Sequence, residues 1–144
     1  RIKPGFVLGQ AGMALGVAEG CVASIHRFNL TRSETNGYLH DQEAPLRARL
    51  DALNVRIAAL AARVDAGERA LLEVLRVRAE ASEVALRVAN AAVLHAGARG
   101  YLARSPVQRR LREAVFVAIV TPALKHLRKE IHDLEAALPQ AQAA

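Results

Sequence analysis

One run of nonpolar residues constrains the fold of this chain more than any other feature. From residue 46 to residue 64, nonpolar side chains recur at steps of four and three. They are Leu46, Leu50, Leu53, Ile57, Leu60 and Val64. This spacing places them on one face of an α-helix, with arginines and an aspartate on the opposite face. Such a helix has to pack its nonpolar face against other elements, so the run predicts a bundle of helices.

The rest of the chain carries signals for four more helices. Pro4 suits the first turn of an opening helix, and Gly67 suits the end of the second. Ser105 and Pro106 suit the start of the fourth, and Pro122 ends it. Helices are therefore expected at residues 4–30, 46–66, 68–96, 106–120 and 124–138, with a polar loop over residues 29–45.

No segment alternates as a half-buried strand does, and no internal repeat is present. Nonpolar residues make up 52% of the 144 residues but aromatic residues only 3%, as expected for helices packed by alanine, leucine and valine. The predicted fold is all-α: an antiparallel four-helix bundle with a short C-terminal helical extension over residues 1–138. Residues 139–144 are predicted to form a frayed tail. The many glycines and alanines of the first helix indicate that it is buried against a backbone or a flat ligand.

Metal and disulfide chemistry find little support. Cys21 is the single cysteine, so it is expected to be a small buried side chain in an intracellular, cytoplasmic protein. No two histidines lie three or four residues apart, which excludes a paired metal site on one helix, and His95 is expected to be a buried histidine with satisfied hydrogen bonds. Gln10 and Glu19 interrupt the first nonpolar stretch, so a membrane span is not expected. The chain begins with Arg1, so we expect a piece of a longer polypeptide or a processed product.

Positive charge is concentrated near the C-terminal end. The formal net charge is +6, and residues 99–129 alone hold eight basic residues against Glu113. Such a surface suits a phosphate-bearing ligand, a membrane face or a nucleic acid. The near absence of aromatic residues disfavours base stacking, so nucleic acid is an unlikely partner.

The order of several short motifs resembles the C-terminal helical domain of the acyl-CoA dehydrogenase family of flavoproteins. "ALGVAEGCVASI" is similar to the first helix of that domain, and "AARVDAG" is similar to the end of its second. "ARGYLARSPVQRRLREA" is similar to a glycine-rich turn followed by a helix that opens with proline. The resemblance extends over about residues 5–130.

The resemblance implies a role in binding the cofactor FAD. Glycines let a backbone approach a ligand closely, and arginine suits a pyrophosphate. The implied cofactor-binding residues are Arg32, Gly97 and Gly100, with Arg99 in a more variable place in the turn. The adjacent Arg112 and Glu113 would form a structural ion pair.

Catalysis is the weak part of the resemblance. The family's catalytic glutamate has two alternative places, which fall on Thr121 and Phe6, and neither residue is a base near neutral pH. The turn after Arg32 and the position of Leu94 also depart from the family pattern. The resemblance therefore leaves a flavin monooxygenase-type enzyme or a diverged homologue open, and no catalytic residue is assigned.

Further partners follow from the same resemblance. An N-terminal helical domain and a β-domain, or a partner chain, would complete the site for an acyl-CoA or another small organic substrate, in a homodimer or homotetramer. The bundle alone is not expected to bind FAD tightly. The alternative is a non-catalytic helical module for oligomerisation or interaction.

Overall fold

The structure, a computed structural model, describes residues 4–141 and the side chains of residues 4–138. Its helices are α1 (Pro4–Asn36), α2 (Glu43–Asp65), α3 (Leu71–Ala96), α4 (Pro106–Ile119) and α5 (Leu124–Ala141). A 3₁₀ turn (Gly97–Tyr101) connects α3 to α4. No strand occurs within residues 4–141. The all-α bundle with a C-terminal helical extension is confirmed.

Helix α3 lies at the centre and packs against the other four helices. Side-chain contacts give the directions. Gln10 and Ser24 of α1 contact Thr121 and Arg110 respectively, so α1 and α4 are antiparallel. Arg32 near the end of α1 contacts the last residue of α3, so these two helices run the same way.

The nonpolar run that opened the sequence analysis is the inner face of α2. Leu46, Leu50, Leu53, Ile57 and Leu60 are buried, and Val64 packs against the same core from a partly buried position. Alanines fill much of the contact between α1 and α3, where they let the two backbones approach. The α1 alanines Ala11, Ala14 and Ala18 are buried.

Several helix boundaries differ from the prediction, among them the start of α3, which lies at Leu71 and not at residue 68. Helix α1 continues to Asn36 instead of ending near residue 30, because Arg32 and Asn36 in its last turns bond to the end of α3. Helix α2 begins at Glu43, so Pro45 lies inside its first turn, where a proline is tolerated. The polar loop is correspondingly shorter.

The turns confirm some capping expectations and correct another. Gly67 follows α2 with φ +87, and its N–H donates to the Val64 carbonyl oxygen at 3.0 Å. Ser105 occupies the N-cap position of α4, but its hydroxyl makes no capping hydrogen bond. Helix α5 extends to Ala141, and residues 142–144 of the predicted tail lie outside the described residues.

Helix α1 has the length and nonpolar composition of a membrane span, contrary to the expectation that it is too interrupted. Half of its most nonpolar stretch is buried inside the bundle. A core helix of a soluble bundle has these same properties, and this burial accounts for the composition.

Candidate functional site

Helix α1 changes direction at Arg32, whose backbone leaves the helical region at φ −140 and ψ 24. The Arg32 Nη1 atom donates a hydrogen bond of 2.8 Å to the carbonyl oxygen of Ala96. Ala96 is the last residue of α3, where carbonyl groups have no partner within the helix and carry partial negative charge. The guanidinium thus binds the C-terminal end of α3.

Gly97 follows Ala96 with φ +65 and ψ −150, a conformation that residues with a side chain rarely adopt. A Cβ atom at this position would lie 4.0 Å from Arg32 Nη1. The structure therefore brings Arg32 and Gly97 together, although they are distant in sequence. The N–H of Gly97 already points at the carbonyls of Val93 and Leu94, so it is not free for a ligand.

Gly100 is buried, and the packing of the 3₁₀ turn against α3 leaves no room for a side chain at this position. A Cβ atom there would lie 2.9 Å from the Val93 carbonyl oxygen and 3.0 Å from Ala96 Cβ. Such contacts would force the 3₁₀ turn away from α3. The absence of a side chain at Gly100 is explained within the bundle, whether or not a ligand approaches.

The basic segment is mostly a solvated surface. Arg99 and Arg104 are exposed, and Tyr101 is 81% exposed beside them. Arg110 turns inward, where its Nη1 donates to Ser24 Oγ at 3.1 Å. The expected pair of Arg112 with Glu113 is wrong: neighbouring residues on a helix point apart, and Glu113 instead pairs with Arg109 at 3.3 Å.

Phe6 and Thr121, where the resemblance places the alternative catalytic base, lie at the other end of the bundle. Phe6 is 60% exposed on the first turn of α1. One turn further, Gln10 Nε2 donates to the Thr121 carbonyl oxygen at 2.9 Å. The two positions thus converge on one region, and neither supplies a carboxylate. Along α1, Gln10 lies roughly 33 Å and Phe6 roughly 39 Å from Arg32, at about 1.5 Å per residue.

The outer face of α1 limits the expectation that this helix is buried, because only one side of it faces the core. The alanines face the core, whereas Gly9, Gly12 and Gly16 are exposed with nothing within 4 Å of a Cβ atom built on them. Phe6 and Met13 flank them and are 60% and 49% exposed. This outer face (residues 5–16) is open in the described structure.

Sequence reasoning missed Arg78, which is fully buried on α3. Its guanidinium bonds to Ser82 Oγ, to the Val117 carbonyl oxygen at 2.6 Å and to Gln10 Oε1 at 3.4 Å. Burial lowers the pKa of Arg78. The signal was its spacing: Arg78 lies three residues after Leu75 in the nonpolar face of α3, where a solvated arginine does not fit.

Cys21 and His95 are buried as predicted. Both ring nitrogens of His95 lie 2.9 Å from oxygen atoms, those of Asn29 and Asp41. Within residues 4–141, no three His, Cys, Asp or Glu side chains are grouped so that they could hold a metal ion.

Cys21 is expected to react slowly in the native protein. Burial raises the pKa of its thiol to about 11. The positive charge of Arg110 lowers this pKa by a smaller amount, and the negative charge of Glu113 raises it. At pH ~8 the reactive thiolate is then roughly a hundredfold scarcer than for an ordinary exposed cysteine. Iodoacetamide labelling followed by mass spectrometry should be at least about a hundredfold slower in native than in urea-denatured protein. Equal rates in the two states would contradict this expectation.

The family profile described as "Acyl-CoA dehydrogenase, C-terminal domain" matches residues 8–121 of this chain. No curated protein matches the sequence. Among solved structures, the chain is similar to butyryl-CoA dehydrogenase from Megasphaera elsdenii, with a TM-score of 0.78 and 22% identity. That match covers 92% of this chain and 36% of the other.

A second similar structure is a chain from the electron transferring flavoprotein structure of Acidaminococcus fermentans. Its TM-score is 0.74 at 23% identity, over 87% of this chain and 34% of the other. At these identities the two structures support the fold. The chain spans about a third of the length of either relative.

Proposed function

The chain belongs to the acyl-CoA dehydrogenase family, as its C-terminal domain, and on that premise we propose that it is the C-terminal bundle of an FAD-dependent oxidoreductase. The bundle contributes part of the flavin site and of a subunit interface in a homodimer or homotetramer. The observation that carries the proposal is the contact of Arg32 with the end of α3 beside Gly97.

These residues fit the phosphate-bearing part of a dinucleotide. Arg32 uses Nη1 for the Ala96 carbonyl oxygen, and a guanidinium has further N–H groups with which it can bind phosphate oxygens. Gly97 is exposed and has no side chain to obstruct the approach. Arg99, exposed on the same 3₁₀ turn, adds positive charge. Gly100 acts by keeping this turn packed on α3. FAD, when bound, supplies the redox chemistry.

The residues near Thr121 indicate which reaction this bundle does not support by itself. Removal of a proton next to the carbonyl of an acyl-CoA requires a base, and a threonine hydroxyl or a phenyl ring is not one near neutral pH. Phe6 and Thr121 are both uncharged, so neither position supplies that base. We therefore favour a flavin monooxygenase-type enzyme or a diverged homologue over an acyl-CoA dehydrogenase proper.

The open outer face of α1 supports the proposed partners. Phe6 and Met13 expose nonpolar surface beside Gly9, Gly12 and Gly16, where a second surface can approach the backbone closely. The family's N-terminal helical domain and β-domain, or a partner chain, would cover this face, and a small organic substrate such as an acyl-CoA would lie between them. Cys21, the single cysteine of this sequence, is a free buried thiol. A free thiol is typical of a reducing compartment, so we propose a cytoplasmic location.

The proposal is tested by flavin binding to the full-length protein. The purified protein should show flavin absorbance, and Arg32→Ala should weaken FAD binding by about 10- to 100-fold, since a hydrogen bond to a charged group contributes about 1.5–3 kcal/mol. Isothermal titration calorimetry, in which FAD is added to the apoprotein, measures the affinity for FAD.

The matched control is Arg104→Ala, which removes the same charge from an exposed position past the 3₁₀ turn. We expect it to change FAD affinity by less than about threefold, as for other exposed charges. A colourless full-length protein that does not take up added FAD would refute the proposal. The alternative, a non-catalytic oligomerisation module, would then remain, because the open face of α1 suits it equally.

A further inference from the structure

Two arginines from different helices meet at one buried serine. Ser24 lies on α1 and is 1% exposed. Its Oγ accepts a hydrogen bond of 3.0 Å from Nη2 of Arg27 on the same helix and one of 3.1 Å from Nη1 of Arg110 on α4. The hydroxyl donates its own proton to the Gly20 carbonyl oxygen at 2.9 Å. A hydroxyl has one donor and two acceptor positions, so Ser24 is saturated and fixes one nitrogen of each guanidinium.

The two guanidinium groups have no carboxylate partner within residues 4–138, whose side chains the structure describes. Glu113 lies three residues after Arg110 on α4, but it pairs with Arg109 at 3.3 Å. Two positive charges that are held on one oxygen atom repel each other. An anion that contacted both Arg27 and Arg110 would offset this repulsion.

Gly20 lets Arg110 lie against the backbone of α1. A Cβ atom at residue 20 would lie 2.5 Å from Nε, 3.1 Å from Cζ and 3.3 Å from Cδ of Arg110. Gly16, one turn earlier on the same helix, is exposed and has nothing within 4 Å of such an atom. The glycine at residue 20 is therefore required by the position of Arg110, whereas the glycine at residue 16 is not required by packing within the bundle.

The pair of arginines suits a terminal phosphate. Arg27 is exposed and Arg110 is partly buried, so the pair is open to solvent on one side. Each guanidinium carries five N–H groups, and Ser24 accepts from one of each. A terminal phosphate offers three oxygens and close to two negative charges near neutral pH, so it can accept from both guanidinium groups. A carboxylate offers two oxygens and one charge, which a single arginine already satisfies.

We propose that Arg27 and Arg110 form a binding site for a terminal phosphate group, either inorganic phosphate or the phosphate of a small organic ester. The site does not rest on the proposed function. There, Arg32 and Gly97 bind the pyrophosphate of FAD, which has no terminal phosphate.

Isothermal titration calorimetry of the full-length protein tests the site with two probes, inorganic phosphate and adenosine monophosphate, at about pH 7.5, where both are mainly dianions. Chloride keeps the ionic strength constant, so that general screening does not imitate binding. Saturable binding of at least one probe is expected. Tighter binding of inorganic phosphate would identify the free anion as the ligand, and tighter binding of the nucleotide would identify an organic phosphate. Saturable binding of neither probe would overturn the proposal.

Variants that remove one charge assign the binding to this pair. Arg110→Gln and Arg27→Gln each remove one charged donor, so each should weaken binding of the probe by about 10- to 100-fold. Arg112→Gln is the matched control, because it removes the same charge from an exposed position on the opposite side of α4. It should weaken binding by less than about threefold.

A variant that keeps both charges tests the geometry. In Gly20→Ala the new Cβ atom would lie 2.5 Å from Nε of Arg110, so the flexible arginine side chain has to move away from Ser24. Binding of the probe should weaken by about tenfold or more although the net charge is unchanged. Gly16→Ala introduces the same methyl group where nothing lies within 4 Å and should leave the affinity within about twofold of the wild type. Gly20→Ala remains informative if Arg110→Gln does not fold.

The outcomes separate this site from a diffuse basic surface and from the proposed function. Equal weakening by Arg110→Gln and Arg112→Gln, or equal affinities of Gly20→Ala and Gly16→Ala, would overturn the site. So would loss of phosphate binding in Arg32→Ala without loss in Arg110→Gln. A protein that bound phosphate with the expected variant effects but took up no FAD would support the site and refute only the proposed function.

Discussion

Replacing Arg78 with alanine is expected to lower the free energy of unfolding by about 3–5 kcal/mol, the loss of a buried side chain together with its hydrogen bonds. Arg78 is fully buried on α3 and donates to a backbone carbonyl of α4, to Gln10 of α1 and to Ser82. Alanine would leave these acceptors without a donor and create a cavity. Removal of a desolvated charge offsets part of this cost, but not the cavity.

Two variants distinguish these contributions. Arg78→Met keeps most of the side-chain volume while removing the donors, so it should cost about half as much as alanine. Arg76→Ala is the matched control on the same helix: Arg76 is half-exposed and pairs with Glu135 at 2.7 Å, and such surface pairs contribute at most about 1 kcal/mol. Urea unfolding followed by far-ultraviolet circular dichroism measures all three. A loss for Arg78→Ala no greater than that for Arg76→Ala would contradict the role of the buried network.

Arg78 also shows where prediction from the sequence ends. The face of α2 was predicted residue by residue, because leucines and isoleucines at helical spacing have no other favourable place. In α3 the same spacing holds Arg78 and Ser82, and a polar residue in such a pattern can lie inward only if partners from other helices satisfy it. Those partners, Gln10 and the carbonyl of Val117, are remote in sequence.

The candidate site was predictable only in part for the same reason. Gly97 was recognisable as a turn from its position after a long helix, and Arg32 was singled out by resemblance. Their contact depends on α1 extending past residue 30, which its local polar sequence did not indicate. The extension is stabilised by Asn29, Arg32 and Asn36 bonding to the end of α3 and to each other. Tertiary hydrogen bonds here override local preference.

Replacing Gly97 or Gly12 with alanine should change stability in opposite directions. Gly97 has φ +65 and ψ −150, where a side chain is strained, so Gly97→Ala should cost about 1–3 kcal/mol. Gly12 lies in α1 with nothing within 4 Å of a Cβ atom, so Gly12→Ala should add up to about 1 kcal/mol through helix propensity. Urea unfolding measures both changes.

The same pair of variants separates the turn from the open face of α1 in the full-length protein. Gly97→Ala should also weaken FAD binding, because relief of the strain moves the backbone beside Arg32. A Cβ atom at residue 97 would lie 4.0 Å from the Nη1 atom of Arg32. Gly12→Ala should leave FAD affinity unchanged and instead weaken the contact of any partner that covers the outer face, which analytical ultracentrifugation detects as a change in oligomeric state. A stabilising Gly97→Ala would mean that the turn does not require a positive φ, and the argument that Arg32 and Gly97 form a phosphate-binding site would fail with it.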